Sequence, residues 1–163
     1  MTPEPTDCLL GDDIQSIPTE LRIMFSTMLL FRSIEARMDE MNLDDQPMSK
    51  SERHMLVHLG VPRRMGQMAE DLYTLPSAVT AIADSLEARG LLLRERDPED
   101  RRAWQLRLTP DGEEARHRLI DKTGALFREI TGLDQADIDR FGELAVKVST
   151  NILKTGLPKG LTL

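Results

Sequence analysis

With 163 residues and a single cysteine, Cys8, the chain can form one cored domain but no intrachain disulfide, which favours a reducing, cytoplasmic location. No apolar run approaches the roughly 20 residues that cross a bilayer, and the N-terminus lacks the basic-then-apolar order of a secretory signal, so neither membrane association nor export is expected. The net charge of -7 is concentrated in residues 1–49, while residues 50–109 and 110–163 carry +1 and -1, which excludes a broad basic surface but not a few well-placed arginines.

The N-terminal part of the chain is predicted to contain a tail and one long helix. Residues 1–15 are rich in Pro and Asp and show no periodicity, which predicts a mobile tail. Residues 16–45 carry a broad apolar stripe at helical spacing that ends before Gln46-Pro47. The apolar residues of this predicted helix are Leu21, Met24, Phe25, Met28, Leu29, Phe31, Ile34, Met38 and Met41.

Three shorter helices are predicted next. Ser49 to Glu52 has the pattern of a capping box and opens a helix from Ser51 to Leu59. Pro62 is predicted to start a third helix, and a turn over residues 73–75 leads into a fourth that begins at Pro76. Two short helices joined by a tight turn are typical of a helix-turn-helix.

The segment from Ser77 to Thr109 changes periodicity partway along. Its first part has helical spacing, Gly90 is placed to end that helix with a positive φ, and Trp104, Leu106 and Leu108 then alternate with polar residues as in a strand. The loop Asp97 to Arg102 is too long and too charged for a two-residue turn, so a β-hairpin with an exposed tip is predicted. A helix followed by such a hairpin is the shape of a winged helix.

The C-terminal part is predicted to form two more helices. Thr109 can cap a fifth helix that has Pro110 at its first position and runs to about Ile130, and Asp134 can cap a sixth. The sixth helix carries an apolar seam at Ile138, Phe141, Ala145, Val148 and Ile152. Because the first, fifth and sixth helices carry more apolar surface than one compact head can cover, a two-fold dimer is expected.

The predicted fold is therefore mainly α (α+β), within one domain over residues 16–163. Its winged helix-turn-helix head covers residues 49–109, and its long dimerisation helices cover residues 16–45 and 110–155.

The head also carries a sequence signature. The run Leu86 to Leu91, then Arg94, Asp97-Pro98, Asp100-Arg101-Arg102 and Leu108 to Gly112 resembles, in order and spacing, that of the MarR family of bacterial transcription regulators. The resemblance extends less sharply over about Ser16 to Leu153. It implies a dimeric protein that binds double-stranded DNA, represses or activates genes and often responds to a small molecule, with the effector site between the dimerisation helices and the head.

The N-terminal side chains of the fourth helix are expected to reach base edges in the major groove; these are Ser77, Ala78, Thr80, Ala81 and Asp84. The family commonly has arginines where this chain has Ala81 and Ser85, and a capping serine at Leu75, so these positions depart from its pattern. A solvent-exposed face without function is the alternative interpretation.

Arginines supply the other predicted DNA contacts. Arg63 and Arg64, placed at the start of the third helix, suit a phosphate, unless they are merely solvated. In Asp100-Arg101-Arg102, the resemblance implies that the acid pairs with an arginine to fix the wing while Arg102 enters the minor groove; a solvated tip is the alternative. Weaker candidates are Arg94, Arg96 and Arg107.

Other features leave alternatives open. Residues of the first two helices could line a pocket for a small apolar or aromatic effector, or belong to the core: Met24, Phe25, Met28, His54, Met55 and His58. His54 and His58 have a spacing that can hold a metal, but no third ligand is evident, so no metal site is predicted. No catalytic motif or cofactor-binding loop is found, so an enzyme is not expected.

The predicted function is a DNA-binding transcription regulator, a ligand-responsive repressor that acts as a homodimer on a near-palindromic DNA site. Two alternatives remain at this point. One is a winged-helix module that binds protein instead of specific DNA, and the other is a thiol-based redox regulator that would depend on Cys8.

Overall fold

The computed structural model describes residues 16–40 and 47–156, which form six helices and three strands. In chain order these are α1 (Thr19–Glu40), α2 (Lys50–His58), β1 (Arg63–Arg64), α3 (Met65–Asp71), α4 (Pro76–Ala88), β2 (Leu92–Arg96), β3 (Trp104–Leu108), α5 (Pro110–Thr131) and α6 (Gln135–Thr155). The predicted mainly helical winged helix-turn-helix is confirmed. The predicted tail at residues 1–15 with Cys8, and the end of the first helix after residue 40 with Met41, lie outside the described residues.

Side-chain caps set three of the helix starts, as the sequence predicts. The Ser49 hydroxyl accepts a hydrogen bond from the Glu52 amide (3.3 Å), and the Glu52 carboxylate accepts one from the Ser49 amide (2.6 Å), which completes a capping box. The side chains of Thr109 and Asp134 each accept from the amide three residues further on, at 3.0 and 2.9 Å. These caps satisfy amides that would otherwise have no partner at the helix ends.

The sheet has the order β1-β3-β2, with both pairs antiparallel. In the hairpin, Leu92 lies opposite Leu108 and Arg96 opposite Trp104, which confirms the predicted wing. Strand β1 was not predicted. Pro62 does not start a helix, because Arg63 and Arg64 are extended and pair with Leu106 and Gln105 of β3 before α3 begins.

Backbone conformation fixes how α4 and α5 join the hairpin. Gly90 ends α4 with φ 72°, as predicted, and so turns the chain into β2. Gly112, in the first turn of α5, lies so close to the Leu91 backbone that a Cβ there would overlap the Leu91 carbonyl oxygen. The start of α5 is therefore held directly against the base of the wing.

The buried core joins the head to α5 and to the end of α1. Its fully buried side chains come from α2, α3, α4 and the hairpin, and include Met55, Leu56, Met68, Val79, Leu86, Leu92 and Leu106. Helix α5 adds Ala115, Leu119 and Leu126, and α1 adds only Met38. Helix α6 contributes no buried residue; its Phe141 ring lies 6.1 Å from that of Phe127 on α5.

Candidate nucleic-acid interface

Helix α4 presents a small, uncharged surface to solvent at its N-terminal end. Val79, Ala83 and Leu86 face the core, whereas Ser77, Thr80 and Ala81 are exposed and Ala78 is half-buried. The first two turns, residues 76–82, contain no charged side chain. The predicted reading residues thus lie together on one face that offers hydroxyl and methyl groups.

Arg94 of β2 attaches the wing to this helix. Its guanidinium donates hydrogen bonds to the Asp84 carboxylate (2.5 Å), to the Glu87 carboxylate and to the carbonyl of Thr80 (3.4 Å). Asp84, expected to reach base edges, and Arg94, a weaker candidate for DNA contact, thus lie together in one ion-pair cluster. Arg94 therefore balances the acidic end of α4 and fixes its position relative to the sheet.

A second ion pair holds the tip of the wing. The buried Asp97 carboxylate accepts a hydrogen bond from Arg64 Nε at 2.5 Å, and its Oδ1 accepts from the amides of Glu99 (2.8 Å) and Asp100 (3.1 Å). The hydrogen bond from Arg64 lowers the pKa of Asp97, and the same contact raises the pKa of Arg64. The carboxylate thus organises the loop on one side and binds β1 on the other.

This arrangement corrects one prediction. Asp100 does not fix the wing by pairing with an arginine; its Oδ1 accepts from the Arg102 amide at 3.1 Å, and Asp97 takes the pairing role. The Nε of Arg64 binds Asp97 while its side chain is 42% exposed, so the predicted phosphate contact of Arg64 stays a prediction. The partners are 33 residues apart, and only the pairing of β1 with β3 brings them together.

The remaining arginines of the head differ in how they are held. Arg101 and Arg102 are exposed at the tip of the wing. Arg96 lies over the Trp104 ring, 4.0 Å from its centroid, and Arg107 pairs with Glu95 at 3.2 Å. Arg63 Nε is 3.6 Å from the Asp71 carboxylate, and its side chain is partly exposed. The wing therefore extends two arginines into solvent from a base that is tied down.

Glu52 connects α2 to α4. Its carboxylate accepts a hydrogen bond from the Ser85 hydroxyl at 2.6 Å and lies 3.5 Å from Arg89, in addition to its role in the capping box. Burial alone would raise the pKa of Glu52, but the hydrogen bonds from Ser85 and Ser49 outweigh this effect and lower the pKa. An ionised Glu52 therefore fixes the orientation of α4 relative to α2.

The residues predicted to line an effector pocket lie on α1 and α2 and differ in burial, and their role stays a prediction. Met55 is fully buried in the core, His54 Nε2 lies 3.5 Å from the Glu35 carboxylate, and Met24, Phe25 and Met28 are exposed along α1, while His58 is exposed at the end of α2. An apolar cavity of about 460 Å³ lies elsewhere, between α2, α5 and α6. It is lined by Val57, Ile120, Thr123, Gly124, Phe127, Arg128, Ile138, Phe141 and Gly142.

Comparison with known proteins assigns the family. The MarR family model matches residues 61–104, which span β1 to the start of β3. The chain is also 32% identical over 130 residues to the HTH-type transcriptional repressor MdtR of Bacillus subtilis (strain 168), covering 78% of this chain and 83% of that protein. The chain belongs to the MarR family.

Solved structures of MarR-family fold agree with this assignment. The transcriptional regulator BldR from Sulfolobus solfataricus superimposes with a TM-score of 0.67 at 25% identity, covering 82% of this chain and 96% of that one. Wild-type MarR from E. coli has the same fold, with a TM-score of 0.61 at 20% identity over 81% and 97% of the two chains.

As a MarR-family member, the chain is a transcription regulator with a DNA-binding fold, and its relatives are regulators and not enzymes. Within residues 16–40 and 47–156, no helix is long and apolar enough to cross a membrane.

Proposed function

We propose that this MarR-family chain is a homodimeric repressor that binds a near-palindromic DNA site and responds to a small apolar or aromatic molecule. The observation that carries the proposal is the wing: two exposed arginines project from a loop that Asp97 and Arg64 hold in place beside α4.

Dimerisation is supported by uncovered apolar surface on the first and last helices. Large side chains on α1 and α6 are more than half exposed, among them Ile23 (60%), Met24 (65%), Val148 (59%) and Leu153 (64%). The two helices adjoin, because Ile23 of α1 and Phe141 of α6 line the same groove. Apolar surface of this extent marks an interface, and two-fold pairing of identical chains is the commonest way to bury it.

The exposed face of α4 suits base edges in the major groove. The hydroxyls of Ser77 and Thr80 can hydrogen-bond to several bases, and the methyl groups of Ala78 and Ala81 can contact thymine. In a two-fold dimer the two copies of α4 would address half-sites about one helical turn, roughly 34–36 Å, apart. A near-palindromic site follows from this symmetry.

The wing supplies the second set of contacts. A guanidinium is planar and permanently charged, which suits the enhanced negative potential of a narrow minor groove. Arg102, with Arg101 beside it, would enter that groove, while the partly exposed Arg63 would meet the backbone phosphates. Binding would then depend on few cationic contacts, in keeping with the nearly neutral charge of residues 50–109.

The apolar cavity between α2, α5 and α6 is the proposed effector site. It lies between the head, through Val57, and the dimerisation helices, through Phe127 and Phe141. An effector bound there would alter DNA affinity only if it favoured one separation of the two heads over another. The repressor MdtR, as a relative, supports repression as the outcome of DNA binding.

Fluorescence anisotropy with the DNA upstream of the chain's own gene tests the proposal. The wild-type dimer should bind this DNA more tightly than a scrambled duplex, and Arg102→Ala should weaken binding at least about tenfold with the dimer intact. Arg140→Ala, which removes an exposed arginine from α6, serves as the charge-matched control. An Arg102→Ala variant with an unchanged DNA profile would instead favour a winged-helix module that binds protein.

A further inference from the structure

Leu75, at the start of α4, is a locally unfavourable residue in a well-defined place. Its side chain is 69% exposed, the largest exposed fraction among the large apolar residues described. It occupies the N-cap of α4, a position that favours Ser, Thr, Asp or Asn, and it makes no side-chain cap hydrogen bond. By contrast, the N-cap residues of α2, α5 and α6 all cap their helices with side-chain oxygens.

The backbone of Leu75 is nevertheless fixed. Its carbonyl accepts hydrogen bonds from the amides of Ala78 (3.0 Å) and Val79 (3.2 Å), which begin the helix, and Pro76 restricts the next φ angle. The side chain is thus held by rigid backbone next to Ser77, at the end of α4 that meets base edges in a winged helix. Neither packing nor capping accounts for a leucine here.

We infer that Leu75 is a specificity-determining residue that contacts the 5-methyl group of a thymine in each half-site. The inference rests on the proposed DNA-binding function and deepens it. A leucine exposed to water contributes no hydrophobic free energy, whereas a leucine that contacts a thymine methyl group removes apolar surface of both partners from water. The next residue, Pro76, is also exposed and apolar, and no charged side chain lies in the first two turns of α4, residues 76–82.

The test separates the methyl group from the rest of the base. A preferred duplex is first selected from randomised DNA with the wild-type protein, and each thymine is then replaced singly by deoxyuridine, which removes only the 5-methyl group. At one thymine per half-site, the substitution should weaken wild-type binding about fourfold, and about fifteenfold when both half-sites are changed, the values expected for burial of one and two methyl groups.

Variants assign the effect to Leu75. In Leu75→Ser the affinity ratio between thymine and deoxyuridine at that position should fall below about twofold, whereas Leu75→Met should retain it because the apolar contact is kept. Arg102→Ala is the control, since it should weaken both duplexes equally. Thermal melting should show that Leu75→Ser is at least as stable as the wild type, because serine is the better N-cap.

Each outcome decides one question. Failure to select any duplex would overturn the proposed function itself. Specific binding that is indifferent to deoxyuridine at every position, or a thymine preference that persists unchanged in Leu75→Ser, would overturn the inference about Leu75 while leaving the DNA-binding function in place.

Discussion

Replacing Gly112 by alanine tests how α5 is attached to the wing. A Cβ at this position would overlap the Leu91 carbonyl oxygen and lie 3.3 Å from the Leu108 Cβ. The Leu91 oxygen is backbone and also accepts a hydrogen bond from the Thr109 amide (3.1 Å), so it cannot move without breaking the junction between β3 and α5. Gly112→Ala should therefore destabilise the fold.

The magnitude follows from the competing effects. Alanine in place of glycine in a helix contributes at most about 1 kcal/mol of stability. Against this, forcing an atom into a filled site costs typically 1–3 kcal/mol and occasionally more, and loss of the junction hydrogen bond costs about 1 kcal/mol. The net expectation is a loss of about 1–3 kcal/mol, or a decrease in Tm of roughly 2–12 °C for a domain of this size.

Circular dichroism melting at a fixed protomer concentration measures this change, because the Tm of the proposed dimer would depend on protein concentration. Gly124→Ala, in the same helix, is the matched control: its Cβ would meet only the end of the Arg128 side chain, at 3.5 Å. The control should be as stable as the wild type or up to about 1 kcal/mol more stable. A Gly112→Ala variant that melts at or above the wild-type Tm would refute the close contact between α5 and the wing.

Three further predictions concern the wing, α4 and the dimer. Asp97→Asn should weaken DNA binding, measured by anisotropy, at least about tenfold because the charge that holds Arg64 is lost. The control Glu99→Gln, at an exposed residue of the same loop, should change DNA affinity little. Equal DNA affinity in the two variants would contradict the wing's dependence on the ion pair between Arg64 and Asp97. Because the pKa of Glu52 is lower in the folded state, its ionised form stabilises the fold above a pH of about 4.5, and that stabilisation is lost as the pH falls through the folded-state pKa. The Tm difference between wild type and Glu52→Gln should therefore shrink as the pH falls below about 4.5. A Tm difference that stays constant with pH would contradict a stabilising, ionised Glu52. Light scattering should show monomers for Val148→Glu and dimers for Lys147→Glu, because only Val148→Glu places a charge on the apolar face of α6. A dimeric Val148→Glu would contradict a dimer interface on that face.

Local signals in the sequence predict most of the fold. The capping box at Ser49, the caps at Thr109 and Asp134 and the glycine at residue 90 each act within a few residues, so their patterns are visible in the sequence and all four are present in the structure. The change from helical to alternating spacing likewise marks the wing, because it reflects which faces of α4 and β3 are buried.

Features that depend on distant residues were not predicted. Strand β1 is only two residues long and forms because β3 offers an edge with which it can pair. Without knowledge of that pairing, Pro62 followed by two arginines has the pattern of a helix start. The pairing of Arg64 with Asp97, rather than of Asp100 with an arginine, depends on that same strand. The cavity lies between α2, α5 and α6, whose relative placement no local pattern encodes, and the methionine-rich helices only suggested a pocket by composition.

The roles of the positions that depart from the family pattern can be assigned only from the structure. Leu75 can be recognised from sequence as a missing cap, but not as a rigidly placed and exposed side chain. Ser85, where the family commonly has an arginine, donates a hydrogen bond from its hydroxyl to the Glu52 carboxylate and so contributes to the position of α4.

Footprinting of the protein on the upstream region of its own gene tests whether it is a sequence-specific DNA-binding regulator. A DNA-binding regulator built in this way should protect two half-sites with centres about 10–10.5 base pairs, or a multiple of that spacing, apart, with at least about a thousandfold preference over unrelated DNA. Uniform protection without discrete half-sites, or no protection at low salt, would show that the protein does not recognise DNA in this way.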